Sequence, residues 1–429
     1  MKTIIGNKTT NGWDKVRVGD ALRLINGRAF KPSEWKVRGL PIVRIQNLNN
    51  AEAPFNHYEG DLPEKFLLNN GDLLFAWSGT PGTSFGAHLW RGGKAWLNQH
   101  IFKVMFDDLD FDKKFLQLAI NQNLNEYIRA AHGGAGLAHI TKGRFEQSEL
   151  VKPMLDEQRA IVAEIEKQFS RLDEAVANLK RVKANLKRYK ASVLKAAVEG
   201  KFVSSDPSGW MRTNLGAVLT SIEAGRSFKC EERLPNIREI GVVKVSAVTW
   251  GTYNEEESKT CLDPGRIETR YFVKPGDFLF SRANTIQLVG ACVIAQKVTR
   301  KIMLSDKILR FRFSDMVLPQ WVLYWLRSDI GRKEIQRLST GNQESMRNIG
   351  QDRIRQIAFA LPSLEGQRAI VAEVERRLSV IEELEEAVEA NLIRADRLRQ
   401  SILSQAFSGE LSKERSPNNG LTKGVSNNY

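Results

Sequence analysis

The chain has 429 residues, 42% of them hydrophobic, and a formal net charge of +14. This length is enough for two cores, and the composition is typical of a soluble globular protein. We find no run of 18 or more apolar residues, which a membrane span needs, and no apolar stretch of the kind that opens a signal peptide. Three scattered cysteines argue against a disulfide framework or a zinc site. We therefore predict a cytoplasmic protein with no bound metal.

The excess of basic residues gives a sequence pI near 9.6. Such a bias is typical of proteins that bind a polyanion, above all a nucleic acid. A basic but inert surface is the alternative at this stage.

The first 150 residues predict a mixed α/β unit. Runs rich in Val, Ile and Phe predict strands at Pro41–Ile45, Asp72–Ala76 and Ile101–Phe106, and an amphipathic pattern predicts a helix over Lys113–Ala131. The glycine-rich segment Gly133–Thr141 then predicts either a recognition loop or a plain flexible connection. Basic and amide side chains can bind phosphates or read base edges. The nucleic-acid-binding candidates here are Lys31, Arg44, Gln46, Asn47, Gly134, His139 and Thr141.

Residues 154–202 predict one long helix. Apolar residues recur every seven positions, as in a helix that presents one stripe to a partner helix. These seam residues are Ile165, Leu172, Leu179, Leu186 and Val193, with Val182 and Tyr189 among those predicted for the alternate seam.

Residues 203–362 predict a linker and a second mixed unit. The predicted strands are Val242–Val245, Asp277–Ser281 and Ile308–Phe313, followed by a helix over Pro319–Ser339 and a loop over Thr340–Ile349. Candidates for nucleic-acid binding are Lys229, Lys244, Arg282, Asn284, Gln343, Arg347 and Asn348. Arg282 and Arg347 are the preferred base readers, because a guanidinium can bridge two acceptors of guanine.

Residues 363–411 repeat the long helix. Gln158–Glu164 recurs as Gln367–Glu373 at an offset of 209, and the match continues to Gly200 and Gly409. The seam residues of this copy are Val374, Ile381, Val388 and Ile402, with Leu384 and Leu398 beside them. Residues 157–202 carry 11 Lys/Arg and 6 Asp/Glu, whereas residues 366–411 carry 6 and 9. Opposite charge favours an antiparallel pair within one chain, although solvated outer faces explain most of these charges. Residues 412–429 are polar and predicted to be disordered.

The globular stretches also repeat. Gly27–Lys31 is similar in sequence to Gly225–Lys229, and Gly71–Phe75 is similar to Gly276–Phe280. The predicted fold is therefore α+β, with two pseudo-repeated mixed α/β domains separated by two long antiparallel coiled-coil helices.

No catalytic motif is evident in the sequence. It has no P-loop, no H-E-x-x-H and no Asn/Asp-Pro-Pro-aromatic tetrapeptide. An enzyme that acts alone is the least favoured function class.

Taken together, these motifs resemble the DNA-specificity (S) subunit of Type I restriction-modification systems. The features that carry the resemblance are the opening of the first long helix at Glu157–Glu166, its close at Ser192–Ala197, the G-D-[LF]-L-F strands, and the order of unit, helix, unit, helix. The resemblance implies that residues 1–153 and 203–362 are target recognition domains, each reading half of a split DNA target. It implies that the helices 154–202 and 363–411 are spacer regions that dock two methyltransferase (modification) subunits, which restriction/translocase subunits join.

The resemblance further implies adenine methylation that uses S-adenosylmethionine, and restriction that uses ATP and Mg, all in partner subunits, with no cofactor in this chain. A bipartite DNA-binding regulator without methyltransferase partners is the alternative, although it does not need long matched helices. A coiled-coil adaptor explains those helices but not two basic domains.

Overall fold

The computed structural model describes residues 8–9, 11–50, 52–80, 83–124, 127–128, 138–204, 206–249 and 251–410. Gly134 and the predicted tail 412–429 lie outside the described residues. The chain forms two compact units, residues 1–178 with 392–429 and residues 179–391. Each unit thus combines one globular part with portions of both long helices, and the domain boundaries drawn from the sequence stay a prediction.

The first unit is built from short strands and few helices. Its strands are β1 (Asp14–Arg17), β2 (Arg23–Asn26), β3 (Leu40–Val43), β4 (Asn56–Tyr58), β5 (Leu67–Leu68), β6 (Leu73–Ala76), β7 (Ser78–Gly79), β8 (Gly86–Leu89), β9 (Ala95–Leu97), β10 (Ile101–Met105), β11 (Ala138–His139) and β12 (Glu149–Lys152). Its helices are α1 (Val18–Ala21), α2 (Ile45–Asn49), α3 (Lys113–Gln122), α4 (Lys142–Gln147) and the start of α5 (Leu155–Val198).

The second unit repeats this plan. Its strands are β13 (Met211–Asn214), β14 (Leu219–Ala224), β15 (Cys230–Glu231), β16 (Gly241–Val243), β17 (Ser258–Cys261), β18 (Phe278–Ser281), β19 (Ala283–Asn284), β20 (Cys292–Ile294), β21 (Ile302–Met303), β22 (Ile308–Phe313), β23 (Thr340–Gln343), β24 (Met346–Asn348) and β25 (Ala358–Leu361). Its helices are α6 (Leu215–Val218), α7 (Pro319–Arg327), α8 (Asp329–Leu338), α9 (Gln351–Arg355) and the start of α10 (Leu364–Phe407).

Strand order confirms that the globular parts are copies of one fold. The antiparallel sheet β2-β10-β6-β8 of the first unit corresponds to β14-β22-β18-β20 of the second. The mixed sheets β4-β3-β9-β5 and β15-β17-β16-β21 share one parallel pair, β3 with β9 and β16 with β21. The ribbons β1–β12 and β13–β25 also correspond, as do β7–β11 and β19–β24, to which the second unit adds β23.

In the second unit, two elements differ in kind from the sequence prediction. The helix predicted over Pro319–Ser339 is two helices, α7 and α8, because Ser328 is extended and caps the second one with a hydroxyl that accepts from Gly331 N at 3.2 Å. The loop predicted over Thr340–Ile349 is the β-hairpin β23–β24.

The long helices α5 and α10 each contain 44 residues, so each extends roughly 66 Å at 1.5 Å per residue. Gly200 and Gly409 follow them with φ angles of +72° and +76°. Such left-handed residues end helices, and glycine adopts that conformation without strain.

A buried glutamine fixes the start of each long helix. Gln158 accepts from Asp112 N at 2.9 Å and donates to the carbonyls of Asp110 and Pro153, both at 2.9 Å. Gln367 repeats the arrangement, with Leu318 N at 2.7 Å and the carbonyls of Met316 at 3.2 Å and Pro362 at 3.0 Å. Both side chains are fully buried, and each amide bonds three backbone groups, of which the proline carbonyl belongs to a buried residue.

Within the first unit the two helices run antiparallel. Ile161 and Ile165 of α5 share a core cluster with Ile402 and Ala406 of α10. Farther along α5, Asp173 forms an ion pair with Arg399, which is earlier in α10.

The second unit shows the same direction. Lys183 Nζ lies 2.6 Å from a carboxylate oxygen of Glu389, and Tyr189 accepts a hydrogen bond from Arg377 Nη1 at 3.2 Å. Higher numbers in α5 therefore meet lower numbers in α10, as an antiparallel coiled coil requires.

Burial separates the two predicted stripes. Seven seam residues are buried, namely Ile165, Leu186, Val193, Val374, Ile381, Val388 and Ile402, while Leu172 and Leu179 are half-buried. The flanking prediction was wrong for Val182, Tyr189, Leu384 and Leu398, which are 42–50% exposed, whereas Ile161 and Ile370, predicted for the same stripe, are buried. The helix pair therefore buries one apolar stripe and leaves part of the neighbouring one accessible.

The glutamine contacts predict a stability effect. Replacing Gln158 or Gln367 by Ala leaves the buried carbonyl of Pro153 or Pro362 without this partner, which should cost about 1–3 kcal/mol of unfolding free energy. Chemical denaturation measures the loss. Gln168→Ala is the control, because that half-buried amide bonds to Glu164 on its own helix. Equal effects of all three substitutions would contradict the role of the buried amides.

The apolar seam between the long helices predicts a second stability effect. Leu186→Asp places a carboxylate at a position that is 8% exposed, and it should cost several kcal/mol, about the penalty for burying an unpaired charge. Val182→Asp is the matched control, since that position is 42% exposed and should lose far less. Thermal unfolding of both variants checks the difference, and similar melting temperatures would rule out the proposed seam.

Candidate nucleic-acid interface

In the first unit, β7 and β11 form a short ribbon that carries His139. Strand β7 continues directly from the buried strand β6, and Ser78 lies opposite His139. Ile140 N donates to Trp77 O at 3.0 Å, which fixes the ribbon to the end of the main sheet. His139 is exposed, so its imidazole can reach a ligand.

Aromatic and basic side chains gather beside this ribbon. The Trp77 ring has centroid distances of 4.8 Å to His139 and 5.1 Å to His100. Burial lowers the pKa of His100, and the neighbouring His139 and Arg44 lower it further. The guanidinium of Arg44 lies 5.2 Å from the centre of the Trp35 ring. The rings of His139 and His100 thus both contact Trp77, and Arg44 contributes to the electrostatics of His100.

In the second unit, β19 and β24 form the equivalent ribbon. Asn284 lies opposite Arg347, and Ala283 lies opposite Asn348. Ile349 N donates to Arg282 O at 2.9 Å, which repeats the Ile140–Trp77 bond of the first unit. Arg282 Nε donates to Asn348 Oδ1 at 3.4 Å. Three predicted residues, Arg282, Asn284 and Asn348, are thus brought together.

The equivalence extends to the neighbouring strand. Trp77 N donates to His100 O at 3.3 Å, and Arg282 N donates to Lys307 O at 2.9 Å. Trp77 and His100 of one unit therefore occupy the positions of Arg282 and Lys307 of the other. One backbone site thus presents aromatic and imidazole groups in one copy and two permanent cations in the other.

The Arg347 side chain is hydrogen-bonded within its own hairpin. Its guanidinium donates to the carbonyls of Ser339 at 2.7 Å and Gly341 at 2.6 Å. These bonds hold the hairpin β23–β24 together. The neighbouring Gln343 is exposed at the hairpin end.

Asn47 is also used internally. It is 6% exposed, its Oδ1 accepts from Arg44 N at 3.0 Å, and its Nδ2 donates to Ala53 O at 3.2 Å. It orders the loop around Arg44, whereas Gln46 beside it is exposed.

The remaining candidates lie apart from the ribbons or have structural roles. Thr141 caps α4 by accepting from Arg144 N at 3.5 Å. Lys31 and Lys229 are exposed at equivalent places after the repeated glycine motif. Lys244 is half-buried and lies 3.4 Å from a carboxylate oxygen of Glu232.

Sequence reasoning missed Trp77, His100 and Lys307. A signal for the first was present, because Trp77 and Arg282 each stand two residues after the repeated G-D-[LF]-L-F motif. His100 and Lys307 each precede the isoleucine that opens β10 or β22. Extending the motif alignment by two positions reveals the first pair, and aligning the isoleucines Ile101 and Ile308 reveals the second.

Among the described residues, no helix is long and apolar enough to cross a membrane. In the same part of the chain, no group of three or more His, Cys, Asp or Glu side chains has the placement of a metal site.

The chain combines a duplicated mixed α/β unit with paired long helices, and comparison with known proteins shows which family it resembles. Residues 10–188 match the Type I restriction modification DNA specificity domain. The chain is 25% identical to the EcoKI specificity subunit of Escherichia coli (strain K12), over 97% of this chain and 93% of that one. It is 28% identical to the StySPI specificity subunit of Salmonella potsdam, with the same coverage of 97% and 93%.

A solved chain supports the fold. It comes from a structural study of complex assembly and conformational transition of the type I R-M system, and it matches with a TM-score of 0.69 at 20% identity, over 94% of this chain and all of that one. Residues 10–188 thus match the DNA specificity domain of Type I restriction-modification systems, and the chain is similar over nearly its whole length to specificity subunits of these systems, the resemblance that its sequence motifs indicate.

Proposed function

We propose that this subunit recognises a bipartite DNA target, with each globular part reading one half through its ribbon. The observation that carries the proposal is that two equivalent ribbons present different side chains on the same backbone. A duplicated scaffold with divergent recognition groups suits a target made of two unlike halves.

The second ribbon has groups suited to reading bases. The Arg282 side chain has one hydrogen bond, of 3.4 Å, to another described residue, which leaves its terminal nitrogens available. A guanidinium bridges the O6 and N7 acceptors of guanine, and an amide such as that of Gln343 pairs with adenine. Lys229 and Lys307 suit phosphates, since an ammonium carries charge without base information.

The first ribbon uses other chemistry. His139 donates or accepts according to its tautomer, and the Trp77 ring beside it restricts its orientation. Arg44, Gln46 and Lys31 supply the charge and amide groups on the same unit.

The long helices are the proposed docking sites for two methyltransferase subunits. Pairing of the two helices leaves Val182, Leu384 and Leu398 about half exposed. Exposed apolar patches commonly mark the surfaces where a protein binds a partner. The partners would supply adenine methylation with S-adenosylmethionine, and restriction/translocase subunits would add ATP- and Mg-dependent cleavage. This chain would bind DNA and hold the partners without catalysing either step.

Methylome sequencing tests this function directly. Cells that carry this subunit with its partners should show methylated adenines in one bipartite motif, and deletion of this subunit should remove them. Exchange of residues 209–362 for the matching part of a related subunit should change one half of the motif only, because each ribbon lies on its own core. A change in both halves would contradict independent reading. A DNA-binding protein that purifies without a methyltransferase would instead favour the regulator.

Arg282 provides the residue-level prediction. Arg282→Ala should relax preference at one base pair and cost about 1–3 kcal/mol there. Lys229→Ala is the control. It should weaken binding to all DNA sequences alike and reduce the slope of log affinity against log salt concentration by about one. Affinities for single-base variants of the methylated motif, measured at several salt concentrations, separate the two effects. An unchanged preference profile for Arg282→Ala would remove it from the base readers.

A further inference from the structure

Four lysines form one stripe on the part of α5 that belongs to the second unit. Lys180, Lys183, Lys187 and Lys190 follow one another at steps of three and four residues, which places them on one side of the helix. Lys180, Lys183 and Lys187 are exposed and Lys190 is half-buried. We call these four residues the lysine face.

Intramolecular contacts do not account for this face. Residues 175–198 contain seven Lys/Arg and no Asp/Glu. Lys183 pairs with Glu389 at 2.6 Å, but within the described residues Lys180, Lys187 and Lys190 have no carboxylate within ion-pair distance. Like charges at these steps repel one another and destabilise the helix. The face therefore carries an energetic cost that the folded chain leaves largely unbalanced.

The repeat shows that pairing of the helices does not require it. At the offset of 209, the equivalents of the four lysines are Glu389, Leu392, Asp396 and Arg399. The seam is apolar in both copies, yet this charge appears in one only. Docking of two like methyltransferase subunits would use features that both helices share. The lysine face instead suits a partner that is present once.

We propose that the lysine face binds the phosphates of the DNA that lies between the two half-sites. The inference rests on the proposed function, which supplies a duplex with an unread central segment. The face spans about 15 Å along the helix, at 1.5 Å per residue, and duplex DNA presents about nine charges over that length. Lysine is suited to such contacts because its ammonium group attracts phosphates whatever the base sequence.

The test exchanges two lysines for the residues that the second helix carries at the same positions. The variant Lys180→Glu with Lys187→Asp keeps the seam and removes charge from the face. Lys167→Glu with Arg171→Asp is the matched control, with the same change of charge at exposed positions earlier in α5. Each is assembled with its methyltransferase partners and titrated with a short duplex that carries the motif found by methylome sequencing.

The face variant should bind roughly tenfold or more weakly, and its slope of log affinity against log salt should fall by about two, one for each phosphate that a lysine no longer neutralises. Its base preference in both half-sites should not change. A duplex with neutral methylphosphonates in the central segment should bind the unaltered protein weakly, and the face variant should lose nothing further on that duplex. The comparison of the two duplexes with the unaltered protein needs no substitution, so it remains informative even if a variant fails to fold.

Three results would overturn the inference. They are an unchanged salt slope in the face variant, an equal loss in the control, and failed assembly with the methyltransferase subunits while DNA binding is retained, which would assign the face to a protein partner. If the unaltered assembly binds no bipartite motif, the proposed function itself fails. If it binds and the face variant matches it, only the lysine face is excluded.

Discussion

Each unit depends on one buried glutamine amide at the start of a long helix. Gln158 and Gln367 each bond three backbone groups of the globular part, at distances of 2.7–3.2 Å. A buried amide with every bond satisfied fixes both position and rotation, because any turn of the helix breaks several bonds together. That rotation decides which stripe faces the partner helix. The recurrence of the Gln-Arg-Ala-Ile-Val-Ala-Glu segment thus has a structural reason, because its first residue fixes the rotation of the long helix about its axis.

The same constraint operates in the globular parts, where the duplicated positions are those that the backbone restricts. An added Cβ at Gly27 would lie 2.1 Å from Asn98 O, and at Gly225 it would lie 2.0 Å from Leu304 O. Neither approach tolerates a side chain. Asp72 and Asp277 each accept from a backbone N–H three residues earlier, at 2.8 Å. Ribbon positions such as Trp77 and Arg282 share backbone bonds but not side-chain contacts, so they are free to diverge.

This division explains what the sequence could predict. Periodicity identified the main strands and both long helices because burial repeats at fixed intervals, and the predicted strand Ile308–Phe313 coincides with β22. Composition could not tell which polar groups are already bonded. Asn47 and Arg347 look like recognition residues in sequence, yet one orders a loop and the other ties a hairpin. Nor could a helical pattern show that Ser328 interrupts Pro319–Ser339, since α7 and α8 each continue the apolar pattern.

Charge proves less important for pairing of the long helices than the sequence suggested. Two ion pairs join α5 to α10 within the units, Lys183–Glu389 and Arg399–Asp173, and all four side chains are 40–63% exposed. Exposed pairs of this kind contribute about 0–1 kcal/mol, whereas burial of a single Val, Leu or Ile side chain contributes about 1.5–3 kcal/mol. The apolar seam therefore determines the pairing. Opposite net charges on the two helices are largely unused in holding them together, and the basic excess of α5 stays available to a polyanion.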